Sequence, residues 1–121
     1  MPSSVSLRLS ILLAALALLA VPAVAQASWG SIAIDPETGA KGIAAGKNTA
    51  KAAKDAAKNR CGDPHCKSAV WVFNGWGATV HKKNGVYISG IGRTKAKAIE
   101  NARKRANEKA PLVASVFSGL S

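Results

Sequence analysis

The chain has 121 residues, with 17 Lys and Arg against 6 Asp and Glu, a formal net charge of +11 and a hydrophobic fraction of 48%. That length holds one small domain and a leader, which excludes a multidomain enzyme, and the charge excludes an acidic binder of cations. Much of the hydrophobic fraction is alanine and leader, which excludes a membrane-spanning protein.

The chain opens on a leader. Arg8 precedes an apolar run, ILLAALALLA, then Pro22 and the small-residue cleavage signals Ala23-Val24-Ala25 and Ala25-Gln26-Ala27. That order reads as a secretory signal peptide over residues 1–27, too short to be a spanning helix. Removing it leaves about 94 residues with a charge of about +10. The expected organisation is a single domain over residues 28–110 and an apolar tail over residues 111–121. The expected location is the periplasm or the cell exterior.

Residues 31–34 form a short β-prone run, followed by the turn Asp35-Pro36-Glu37-Thr38-Gly39. A second strand is predicted over residues 41–45. Asn48 or Thr49 caps a helix that runs to about Arg60, with Ala52, Ala53, Ala56 and Ala57 on one face. Lys47, Lys51, Lys54 and Lys58 fall in one stripe opposite.

Cys61-Gly62-Asp63-Pro64-His65-Cys66 follows. In an oxidising compartment two cysteines around a tight Gly-Asp-Pro turn form a disulfide by default. A metal site would need Cys61, His65, Cys66 and His81, and that spacing does not match structural zinc.

Ala69-Val70-Trp71-Val72-Phe73 is the densest run of β formers and predicts a central strand. Asn74-Gly75 reads as a two-residue hairpin or a bulge, and strand continues over residues 78–81. Asn84-Gly85 is a clearer hairpin turn, with Val86-Tyr87-Ile88 beyond it. Thr94 caps a second helix that ends before Pro111, burying Ala98, Ile99, Ala102 and Ala106.

Trp29-Gly30-Ser31-Ile32-Ala33-Ile34 parallels Trp76-Gly77-Ala78-Thr79-Val80-His81. Thr49, Ala53, Asp55, Ala57, Lys58 and Arg60 parallel Thr94, Ala98, Glu100, Ala102, Arg103 and Arg105, about 45 residues apart. The predicted fold is therefore α+β: a small two-layer sandwich, a mostly antiparallel sheet with two helices on one face, built from a duplicated strand–strand–helix unit. Trp29, Trp76, Val70, Val72 and Ile88 are the core candidates.

Trp-Gly-x-Ile-Ala, then Gly-x-x-x-Gly and a helix ending in Cys, Cys-x4-Cys, Val-x-Val-Phe-Asn-Gly and Gly-x-Gly-x-Thr before an alanine-rich helix occur in that order. The set resembles the secreted bacterial family catalogued as domain of unknown function 4189, over residues 29–109. The resemblance implies secretion and a small compact domain, with no agreed activity. Family members usually carry two further cysteines. This chain has Trp76 at one of those places and residues near Ala106 at the other, which implies the loss of one disulfide.

The carboxylates fall on predicted turns or exposed helix faces, and neither His65 nor His81 has an orienting partner nearby in sequence. No catalytic residue and no cofactor is therefore assigned, and the expectation is a non-enzyme. Gly90-Ile91-Gly92-Arg93-Thr94 before a helix invites an anion-binding reading but lacks the nucleotide fingerprints, and reads as turn chemistry.

The charge is the strongest hint. Lys47, Lys51, Lys54 and Lys58, with Arg103 and Lys104, form a footprint for a polyanion. Trp71 and Phe73 share a strand face, which makes Trp71 the centre of an apolar contact patch. The expected function is a secreted or periplasmic binding domain that recognises an acidic envelope polymer or an acidic protein surface. Chromosomal nucleic acid is not expected as a partner, since export removes the protein from it. The alternative is an inhibitor or immunity-type protein that blocks an envelope enzyme with the loop over residues 62–65.

Overall fold

Small residues govern how the elements come together. The computed structural model describes residues 28–119, and the signal peptide assigned to residues 1–27 lies outside them. The first half runs β1 (Trp29–Ile34), β2 (Lys41–Lys47), α1 (Ala50–Cys61) and β3 (Lys67–Phe73). The second half repeats that order as β4 (Gly75–His81), β5 (Tyr87–Gly92), α2 (Lys95–Ala106) and β6 (Leu112–Ser118). Two antiparallel sheets result, ordered β2-β1-β3 and β5-β4-β6.

The chain thus adopts the α+β sandwich of a repeated strand–strand–helix unit, and a third strand after each helix completes each unit. Each sheet carries one helix: α1 touches only the first sheet and α2 only the second. The two sheets face each other across Ile32, Ile34, Val70, Val72, Ala114 and Val116. The helices therefore lie on opposite outer faces.

Alternation along β1 explains the layers. Ile32 and Ile34 point to the opposing sheet, while Ala33 packs under α1 with Ala44, Ala57, Cys61 and Cys66. Val80, Ala102, Ala106 and Ala110 form the matching layer under α2. Alanine buries little area but allows close approach. An added Cβ on Gly42 would overlap the Ala57 carbonyl oxygen and the Cys61 amide nitrogen, and one on Gly90 would overlap the Ala102 amide nitrogen. Glycine is required at both because a helix backbone lies directly over the strand.

Four expectations need correction. β3 is an edge strand, not a central one; β1 and β4 are central, and their small residues fit between a helix and a second sheet. The segment after Pro111 is not a tail without a period, because Leu112–Ser118 pairs with β4 and supplies Ala114 and Val116 to the core. Of the core candidates, Val70 and Val72 are buried, whereas Trp29, Trp76 and Ile88 are half-buried. Asn74-Gly75 is neither hairpin nor bulge: it links β3 to β4 across the two sheets, with Asn74 at φ 50°.

The caps behave as the sequence indicates. Thr49 Oγ1 accepts from the Ala52 amide at 3.0 Å and Thr94 Oγ1 from the Lys97 amide at 3.1 Å. Gly62 and Asn107 close the helices in left-handed conformation. The repeat reaches into side-chain detail: Trp29 packs on Phe73 at 5.0 Å and Trp76 on Phe117 at 5.2 Å. Arg60 donates to the Ile43 carbonyl and Arg105 to the Ser89 carbonyl, both at 2.7 Å.

Candidate functional site

Stacking two three-stranded sheets leaves two seams, one where β2 meets β6 and one where β3 meets β5. The first seam is laced shut. Lys41 Nζ donates to the Val113 carbonyl at 2.8 Å, and the Gly46 amide donates to Ser118 Oγ at 3.0 Å. Ser118 Oγ also meets Ser28 Oγ at 2.6 Å. No such hydrogen bond joins β3 to β5 among the described residues, and a cleft of about 490 Å³ opens there.

The cleft has an apolar lining from Ile34, Ala69, Val86 and Ile88, with Tyr87 beside them. Lys67, Ser68, Ser89 and Arg105 supply its polar groups. A shallower hollow of about 250 Å³ shares Ala69, Ser89 and Arg105 with it and extends it past Trp71 to Ile91. Among the described residues no carboxylate lines either cavity. Ser68 Oγ is buried and has no hydrogen-bond partner. Trp71, Phe73 and Ile91 are about half exposed beside this groove, at 46%, 50% and 54%.

The lysines singled out from the sequence separate. Lys54 Nζ sits 4.4 Å from the centre of the Trp71 ring, a cation–π contact that joins the basic stripe to the aromatic patch. Lys51 is tied to Asp55 at 2.8 Å, which raises the Lys51 pKa and lowers that of Asp55. Lys58 is exposed in the last turn of α1. Lys47 does not belong to the helix stripe, because α1 starts at Ala50 and Lys47 ends β2.

Arg103 and Lys104 lie on α2, on the opposite outer face, and so share no footprint with the α1 lysines. Arg103 Nε donates to the Ala110 carbonyl at 2.9 Å, and Lys104 pairs with Glu100 at 3.0 Å. The larger hollow along that helix, about 870 Å³, includes Glu100 and Glu108 and is therefore mixed in charge.

Trp71 and Phe73 point to the α1 side of their sheet, opposite Val70 and Val72. They are not covered by the segment after Pro111, which pairs on the other sheet. Lys67, Ser68, Tyr87 and Ile91 were not assigned to a site by their pattern. They come from two segments that only the sandwich brings together.

Cys61 and Cys66 are joined by a disulfide. It pins a loop whose Pro64 and His65 are exposed, and Asp63 Oδ1 accepts from the His65 amide at 2.7 Å. Asp63 also meets Asp35, which is buried in the β1–β2 turn. A hydrogen bond shared with the Asp63 carboxyl group, together with the Glu37 amide at 2.9 Å, lowers the Asp35 pKa to about 2. His81 stacks on Tyr87 with ring centres 4.3 Å apart, behind the wall of the cleft. Among the described residues no helix is long and apolar enough to cross a membrane.

Residues 29–115 match the family model described as Domain of unknown function (DUF4189). The fold is similar to the NMR structure of Rv1813c from Mycobacterium tuberculosis, with a TM-score of 0.60 and 30% sequence identity over 80% of each chain. No curated protein matches the sequence.

Proposed function

The chain belongs to the DUF4189 family, and from that premise we propose an exported, non-enzymatic binding domain that recognises an acidic partner. The open seam carries the reading. It is a concave groove with apolar lining residues, and among the described residues its charged groups are both cations, Lys67 and Arg105. Such a groove favours a ligand with an apolar body and negative charge. The half-exposed Trp71, with Lys54 over its ring, extends the same chemistry onto the adjoining surface.

Export is supported by the leader pattern and by the disulfide, which persists in oxidising compartments. The acidic partner is an envelope polymer or a protein surface. The purified protein is titrated with polyglutamate and with uncharged dextran over rising salt. Expected is binding to polyglutamate alone, weakening as salt rises. Equal affinity for dextran, or no binding to polyglutamate at low salt, overturns the reading.

The pinned loop with exposed Pro64 and His65 favours a second reading, an inhibitor that wedges this loop into an envelope enzyme. Such an inhibitor would hold its target in stoichiometric amount through a high-salt wash and lose it when residues 62–65 are altered.

A further inference from the structure

We propose that the outer edge of β3 is a docking edge that takes an extended acidic peptide as a fourth strand of the first sheet. The inference rests on the binding reading above and adds the mode, the place and the class of partner.

The four edge strands are β2, β3, β5 and β6. Three have an edge carbonyl occupied by a side chain from another element. Arg60 donates to Ile43 on β2, and Lys41 to Val113 on β6. Arg105 and Asn101 donate to Ser89 and Ile91 on β5, each at 2.7 Å. Such caps block pairing with another chain. Among the described residues β3 has no cap of this kind. The side-chain bond its backbone does receive comes from the central strand, where Ser31 Oγ donates to the Val70 carbonyl at 2.8 Å. The Val70 carbonyl is therefore turned inward, toward β1. Backbone groups alternate in direction along an antiparallel strand, so the Trp71 N–H and C=O face the open seam.

The two seams differ in what crosses them. In the pseudo-symmetric arrangement β6 takes the place of β3 and β2 that of β5. There Lys41 reaches across to Val113, whereas the corresponding stretch of β5 begins with Tyr87, which stacks on His81 instead. Ser68 is among the residues lining the cleft left open.

Charge selects the occupant. Lys67 and Arg105 flank the groove, Lys54 lies over Trp71, and among the described residues no carboxylate is present in the lining. A second copy of this chain would bring the same cations to the same edge. An extended peptide with alternating acidic and apolar side chains would pair its backbone with Trp71. It would set its apolar side chains beside Trp71 on the α1 side of the sheet and, on its other face, its carboxylates toward Lys67 and Arg105 in the cleft.

The test uses a capped peptide of about eight residues, alternating Glu and Val, long enough for one strand. Its counterpart carries N-methyl groups on alternate amides and has the same charge. The isotope-labelled protein is followed by amide resonances and hydrogen exchange. Expected are shifts concentrated in Lys67–Phe73, slowed exchange at the Trp71 amide, and about tenfold or more weaker binding of the N-methylated peptide. Lys67→Glu, at an exposed position, should weaken the unmodified peptide several-fold with the fold unchanged.

Equal binding of the two peptides, or shifts scattered over the α1 and α2 lysines, overturns strand addition and leaves charge recognition standing. The same holds if polyglutamate binds and the peptide does not. A Trp71 amide already protected in the free protein, in a concentration-dependent way, assigns the edge to a second copy and overturns the peptide as occupant. Failure of both peptide and polyglutamate at low salt overturns the broader binding reading as well.

Discussion

Gly42 and Asp35 show how single atoms decide local stability. At Gly42 an added methyl group meets helix backbone, which cannot swing aside. Gly42→Ala should therefore cost about 3 kcal/mol or more, at the upper end of overpacking penalties. Gly46→Ala, where φ is 71° with open space around, should cost about 1 kcal/mol from the backbone alone. Urea midpoints of the two variants make the comparison. Asp35 adds a pH dependence. Its folded pKa of about 2 lies below its ordinary 3.8, so its contribution is present above the ordinary value. As pH falls from about 4 through about 2 that contribution is lost, and stability falls with it. The Asp35→Asn variant should show a flatter decline of urea midpoint across that window. Features of this size were legible in the sequence when their cause was local. The threonine caps, the turn after Ile34 and the Cys61–Cys66 pair each depend on residues a few places apart. The need for glycine at 42 was not legible, because the helix that requires it follows later in the chain.

At the scale of elements, the helices and hairpins could be read from periodicity and turn residues, while strand placement could not. The Val70–Phe73 region is rich in β formers, yet it forms an edge. The Gly-Ser-Ala composition of β1 looks weak, yet it is central. Central strands in this sandwich carry a helix on one side and a sheet on the other, and closeness selects small residues. β6 was missed because the apolar Leu112, Val113 and Phe117 are exposed or half-exposed while the polar Ser118 is buried, so polarity does not mark the period. Its membership in the core has a measurable consequence. Val116 is buried between the sheets, whereas Leu112, the larger side chain, is 37% exposed. Val116→Ala should destabilise by about 2 kcal/mol and Leu112→Ala by clearly less, read from denaturant midpoints. The open seam was invisible for a related reason. It arises because Lys41 closes one seam and, among the described residues, no equivalent side chain closes the other, a difference that appears only after the two halves are superposed in space.

The whole molecule presents its charge on two sides. The α1 face carries Lys51, Lys54, Lys58 and Arg60, and the α2 face carries Lys95, Lys97, Arg103, Lys104 and Arg105. Asp55 and Glu100 neutralise part of each through their lysine pairs. With a sandwich between them, the two helices cannot contact the same short stretch of a polyanion. A short oligothymidylate, used only as a flexible polyanion, should therefore engage one face at a time. For single strands the slope of log K against log salt is about −0.7 for each phosphate neutralised. Four or five cations on one face give a slope near −3, whereas engagement of the full charge of about +10 would give about −7. A measured slope near −3 would place the charge in two independent patches. A much longer polymer should then bridge molecules, giving turbidity near charge equivalence that disappears in excess polymer. A slope near −7 with the short oligomer would mean that it follows the surface around the sandwich. The seam edges, with Lys41 on one side and Lys67 and Arg105 on the other, would then be the path that connects the two faces.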